Sequence, residues 1–208
     1  MEQEGCENIS AAIGALRRGE VIVFPTETLY GLGAQALNQT AVDAVFRLKG
    51  RDPSAPIPVL VADQAMLDQL VATTTPMAKE LMQRFWPGPL TLVLPARANI
   101  PKPLLNTSGG IGVRISSQPI AMELVQTLGA PLTATSANPS GAEPARTLAE
   151  AINYFSDSVS VFMEGGTLGS KTGSTVAEVR DNKLKIIREG EIRRTSLESV
   201  LGRESILP

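Results

Sequence analysis

Apolar positions along the chain alternate between helical and extended periods. Over residues 8–18, Ile9, Ala12, Ile13 and Leu16 recur at three- to four-residue spacing, which predicts an amphipathic helix stopped by Gly19. Residues 20–24 read as a buried strand. Val42, Val45 and Phe46 mark the apolar face of a second helix, capped by Thr40 and ending near Lys49-Gly50. Residues 58–62 read as a short strand, Asp63 as the cap of the next helix, and Thr75-Pro76 as the start of another that runs to about Phe85. Strands follow at 90–95 and 111–115, a helix at 119–128 and a strand at 132–135. Thr147 and Glu150 make a capping box for a helix toward Phe155. The pattern closes with a strand at 159–163, a hairpin of 174–180 and 184–188 across Asp181-Asn182, and a short capped helix at 196–201. There is no internal repeat, low-complexity linker or domain boundary. The expected fold is therefore α/β (or α+β), a single domain over 1–208 with a mixed parallel and antiparallel sheet and helices packed on it.

Composition narrows the chemistry more than the fold. At 208 residues, 43% hydrophobic and 19% charged, the chain has the make-up of an ordinary soluble globular domain. Its apolar runs are too short to span a bilayer, and Met-Glu-Gln-Glu lacks a signal peptide's basic start, so the expected location is cytoplasmic, with no membrane partner. A net charge of -2 gives no global attraction to nucleic acid. Cys6, the sole cysteine, forms no internal disulfide and reads as a bystander. The absence of histidine rules out Ser-His-Asp and Cys-His machinery and, with one cysteine, an ordinary zinc site. An enzyme of this composition relies on hydroxyls, carboxylates, lysines, arginines and backbone amides. Those groups suit reactions won by positioning and charge stabilisation.

Four loops at element ends carry such groups. FPTETLYGLGAQA, residues 24–36, leaves a strand through Thr26, Glu27 and Thr28, with Gly31 and Gly33 allowing close backbone approach; it is either a cleft wall or a turn capped by its own threonines. Lys49-Gly50-Arg51-Asp52-Pro53 ends a helix, where the cations either satisfy terminal carbonyls or clamp a polyphosphate. Residues 133–141, TATSANPSG, present hydroxyls, an amide and exposed N–H groups directly from a buried strand. Residues 169–175, GSKTGST, superficially resemble a Walker A loop but lack its Gly-Lys-Ser/Thr order and following helix. Arg114 sits inside an apolar strand and needs a carboxylate or a ligand, since an unpaired buried charge is costly. With Arg188, these loops predict an open cleft for an anionic ligand such as a nucleotide together with a carboxylate.

The segments PTETLYGLG, KGRDPSAP, GIGVRI, TATSANPSG, GSTVAEV and IIREG, in this order from Pro25 to Gly190, resemble the threonylcarbamoyl-AMP synthase family of YrdC-type proteins. The chain resembles that family's short, single-domain form. It departs at Ala55-Pro56-Ile57-Pro58, where many relatives carry Asn-Pro-Leu. The resemblance implies a reaction in which L-threonine, bicarbonate and ATP, with Mg2+, give threonylcarbamoyl-AMP and pyrophosphate. A downstream transferase complex then uses the product to form N6-threonylcarbamoyladenosine in tRNA, with weak tRNA contact by this chain an open possibility. It implies L-threonine contacts at Thr26, Pro58, Arg114, Ala134 and Ser174, and ATP contacts at Lys49, Pro53, Gly110, Ser136 and Arg188. Lys49 and Arg51 take the catalytic charge-stabilising role, Asn138 and Ser140 shape the loop, and no protein-ligated metal is expected. Two other readings compete: a non-catalytic RNA-binding module, weakened by 4% aromatic content, and a carbamoyl-transfer domain of the hydrogenase-maturation kind.

Overall fold

The computed structural model describes residues 2–208, with side chains from Ile9 onward, so Cys6 lies outside the described side chains. The elements run α1 (Glu2–Arg17), β1 (Ile22–Pro25), β2 (Tyr30–Gly33), α2 (Gln39–Lys49), β3 (Val59–Leu60), α3 (Gln64–Leu70), α4 (Pro76–Phe85) and β4 (Leu90–Pro95). A 3-10 turn (Lys102–Leu104) leads into β5 (Gly110–Arg114) and α5 (Pro119–Leu128), followed by β6 (Leu132–Thr133), β7 (Thr135–Ser136) and α6 (Leu148–Phe155). The chain ends with β8 (Thr175–Arg180), β9 (Lys183–Arg188), α7 (Arg194–Leu201) and a second 3-10 turn (Arg203–Ser205).

Local side-chain chemistry fixes many of these boundaries. Asp63, Thr75 and Thr147 each accept a backbone N–H from the first turn of their helices, and Glu150 closes the capping box on Thr147. Asp181 and Asn182 both adopt left-handed φ, 49° and 56°, as a tight hairpin between twisted strands requires. Three expectations need correction. Asn38, not Thr40, caps α2, because its side chain reaches the Ala41 N–H at 3.2 Å. Helix α7 starts at Arg194 without a side-chain cap, and a distant carboxylate, Glu189, accepts the Arg194 N–H instead. Residues 159–163 make only a bridge to Val23, and the chain then turns away through Glu164-Gly165-Gly166, gripped by the Tyr30 hydroxyl.

The mixed sheet is two sheets. A three-stranded sheet has the order β1-β2-β7, and a six-stranded one has the order β6-β3-β5-β4-β8-β9. Pairs β3–β5 and β4–β8 are parallel, and the other pairs are antiparallel. The expected strand at 132–135 divides between them: Leu132–Thr133 pairs with β3, and Thr135–Ser136 pairs with β2. Ala134, at the crossing, donates its N–H to Pro58 O at 2.9 Å. Helices α1 and α5 pack together against β1.

The glycine-rich stretch after Pro25 contains strand β2, which the sequence pattern did not predict. Gly31 lines a cleft, and Gly33 makes room for a protein ring. A Cβ on Gly33 would stand 2.7 Å from Cε1 of the fully buried Phe24. Gly33→Ala should therefore destabilise the protein by about 1–3 kcal/mol, the usual cost of overpacking a core. An unchanged unfolding midpoint in denaturant titration would contradict that packing.

Candidate active site

The crossing at Ala134 opens a cleft between the sheets. The 26–29 turn of the small sheet, the C-terminal end of β5, the start of β8, the end of β9 and the start of β3 all meet there. The cavity holds about 150 Å³. Its lining includes Thr26, Arg51, Pro58, Arg114, Ala134, Ser136, Ser174 and Arg188, all expected from the sequence, together with Thr28 and Lys171.

Arg114 is the innermost cation. Its side chain is 5% exposed, and its Nη1 donates to Glu27 Oε1 at 2.8 Å. Ser116 Oγ donates a short hydrogen bond to the other oxygen of Glu27. The sequence demanded a carboxylate or a ligand for this arginine, and the structure supplies the carboxylate. It does not complete the arginine: Nε is buried without any partner. Burial lowers the guanidinium's pKa, and Glu27 works against that. A buried donor left open is rare, and here it belongs to a residue that lines the cleft.

The wall at 170–175 is braced from behind. Ser170 and Thr172 donate to Glu191 Oε1 at 2.7 and 2.9 Å, and the Gly190 N–H donates to Thr175 Oγ1 at 2.8 Å. Any side chain on Gly190 would run into the backbone of Gly173 and Ser174, so the glycine is required by close approach. Arg188 donates to Ser174 O at 2.8 Å, and Thr91 donates to Ser174 Oγ at 3.1 Å. Burial, then Arg114 and Arg51, lowers the Arg188 pKa. Arg188 carries like charge against both Arg114 and Arg51, and Glu27 pairs with Arg114 alone, so an anion in the cleft relieves the imbalance.

On the opposite wall, Arg51 donates through Nε to Ala55 O at 2.7 Å and through Nη2 to Pro56 O at 3.2 Å, so it organises the Ala55-Pro56 stretch. Burial lowers its pKa. Lys49 is placed differently from the expected phosphate clamp. The residue is 3% exposed, and its ammonium donates to Ser136 O at 2.6 Å, Asn138 O at 2.7 Å and Asn138 Oδ1 at 3.4 Å. The Ser140 N–H returns a bond to Lys49 O at 2.7 Å. The Asn138 amide donates to Pro139 O and Ala142 O, both at 2.8 Å. Lys49 thus stands behind the wall and ties down the loop that presents Ser136. Burial, and then Arg51, pulls its pKa down to about 8.

The remaining expected residues divide. The Thr26 hydroxyl is engaged within its own turn, donating to Leu29 O at 2.7 Å and accepting the Thr28 and Leu29 N–H groups. Pro53 is exposed on the 52–55 turn, and Gly110 lies at the far end of β5 against Val93 and Asn106; neither lines the cleft. Glu27, Ser116 and Lys171 were not expected in this site. Glu27 stood in plain view between two threonines, but its partner is 87 residues away. Among the described residues, no group of three or more His, Cys, Asp or Glu could hold a metal ion, and no helix is long and apolar enough to cross a membrane.

Known proteins resemble this chain in sequence and fold. The Sua5/YciO/YrdC family model, described as telomere recombination, matches residues 14–190. The threonylcarbamoyl-AMP synthase of Bacillus subtilis (strain 168) is 39% identical over 93% of this chain, which spans 56% of that protein. The threonylcarbamoyl-AMP synthase of Vibrio cholerae (strain O395) is 35% identical over 88% of this chain and 98% of its own length. The crystal structure of Pyrococcus abyssi Sua5 complexed with L-threonine superposes with a TM-score of 0.90 at 34% identity, over 96% of this chain and 59% of that one. The chain thus spans somewhat more than half the length of two of these relatives and nearly all of the third. From the first cleft strand to the brace at Gly190, this chain belongs to the Sua5/YciO/YrdC family.

Proposed function

We propose that this chain is an L-threonylcarbamoyladenylate synthase, which condenses L-threonine, bicarbonate and ATP into threonylcarbamoyl-AMP and pyrophosphate. The observation that carries the reading is the buried Arg114, with an unpaired Nε, in a cleft shared with Arg51 and Arg188. That arrangement suits a carboxylate beside a polyphosphate. The relatives' names and the threonine-bound Sua5 support it.

In this reading Arg114 binds the threonine carboxylate, with Thr26, Pro58, Ala134 and Ser174 shaping the pocket around it. The amine nitrogen attacks bicarbonate carbon and water leaves, giving a carbamate. A carbamate oxygen then attacks the α-phosphorus, and the bond to the β-phosphate oxygen breaks to release pyrophosphate. Arg51 and Arg188 stabilise charge on the transferring phosphate, and Ser136 meets the nucleotide from the loop that Lys49 holds. Enclosure limits loss of the labile carbamate to water. Mg2+ enters as part of the ATP substrate, because both oxygens of Glu27 are already engaged by Arg114 and Ser116. The product feeds a cytoplasmic transferase complex that modifies tRNA.

Pyrophosphate release should require threonine and bicarbonate together, and mass spectrometry should find the threonylcarbamoyl adenylate. Equal release with threonine alone in bicarbonate-depleted buffer would indicate simple aminoacyl adenylation and overturn the reading.

A further inference from the structure

Glu27 does not line the cleft, yet it holds the residue that reaches deepest into it. Its side chain is 13% exposed, and both carboxylate oxygens are engaged, one by Arg114 and the other by Ser116. Ser116 is itself fully buried and accepts the Gln118 N–H at 3.2 Å, next to the start of α5. A chain of contacts therefore runs from the base of a helix, through Ser116 and Glu27, to one end of the Arg114 guanidinium. A guanidinium is planar with donors at fixed angles, so anchoring one terminal nitrogen sets the direction of the others.

We infer that Glu27 is a positioning residue for threonine recognition: it selects which edge of Arg114 faces the cleft. The inference rests on the threonine reading above. Arg51 and Arg188 line the same cavity, and like charge sets Arg188 against Arg114. Glu27 supplies the opposing pull, and Ser116 keeps that pull in one place. Arg114 lines the cleft, and with Nη1 held by Glu27 its Nε has no protein acceptor, so the guanidinium keeps donor capacity that Glu27 does not use. Glu27 is not among the residues lining the cleft, and its charged contact is with Arg114, so its loss acts on the cleft chiefly through that arginine. Threonine affinity should fall while the ATP subsite, built from other walls, keeps its affinity.

The test is calorimetry of threonine and of ATP on the full chain, with steady-state kinetics, for wild type, Glu27→Gln, Glu27→Asp and Ser116→Ala. Glu27→Gln should raise the threonine Kd about tenfold or more, as expected for losing one charge-assisted constraint, and change the ATP Kd by less than about twofold. Its threonine KM should rise more than its kcat falls, and Glu27→Asp should recover part of the loss. Ser116→Ala keeps the ion pair and should raise the threonine Kd about threefold; it decides the matter if Glu27→Gln does not fold. Unchanged threonine affinity, or threonine and ATP affinities falling in step, would overturn the positioning role. Failure of the wild-type chain to bind threonine at all would instead sink the functional reading.

Discussion

Arg114→Ala should all but abolish threonine binding while ATP still binds. Replacing the guanidinium removes the charge-assisted hydrogen bonds offered to the carboxylate, worth about 3–4 kcal/mol for a two-point contact, or a loss of two to three orders of magnitude in affinity. The same change strands Glu27, whose side chain is 13% exposed, as a buried carboxylate without its cation. Leaving half of a buried pair costs about 3–5 kcal/mol of stability, so the single variant confounds binding with folding. The double variant Arg114→Ala/Glu27→Gln separates them. It should recover most of the stability, because the stranded charge is gone, and none of the threonine affinity, because the recognising group is still missing. Thermal unfolding alongside calorimetry reads both quantities. Threonine binding at wild-type strength in the folded double variant would remove Arg114 from the site.

What the sequence revealed follows the range of the interactions involved. Asp63, Thr75-Pro76 and the Thr147–Glu150 box act within one turn, and each sits where its local pattern places it. Strand β2 was hidden because Gly31 and Gly33 lower its strand propensity; what makes it a strand is pairing with β1 and β7 beneath the Phe24 ring. The division at Ala134 was equally hidden, since LTATS carries no mark saying that one half pairs with β3 and the other with β2. The cleft was more legible than the sheets. Hydroxyl- and glycine-rich loops leaving apolar strands pointed to its walls, and an arginine within an apolar strand pointed to its floor. The roles inside it were less legible: Lys49 and Arg51 look alike in KGR, but only the fold shows one turned toward loop carbonyls and the other lining the cavity.

Lys49→Ala should lower stability and turnover together. Were Lys49 a free phosphate clamp, truncation would cost turnover and leave the melting temperature almost unchanged. The structure gives its ammonium to Ser136 O, Asn138 O and Asn138 Oδ1, and removing it leaves buried acceptors without a donor. Such orphaned groups cost about 1–3 kcal/mol each, so a net loss of about 2–4 kcal/mol is expected after partial relaxation. The 136–140 loop then loosens, Ser136 is no longer held against the nucleotide, and turnover should fall on the order of a hundredfold. Lys49→Arg should not restore it, since a planar fork cannot fit three acceptors gathered around a compact ammonium. The wild-type pH response has a defined sign. Lys49 is held at about 8 against an ordinary 10.5, so between these values the unfolded chain carries the extra proton, and this group's contribution to stability improves as pH rises. Turnover should move the other way, declining as pH passes about 8, because the neutral amine has one donor fewer than the loop's three acceptors require. Turnover and unfolding midpoints measured on wild type, Lys49→Ala and Lys49→Arg across that range decide the question. An alanine variant that melts like wild type but does not turn over would return Lys49 to the triphosphate.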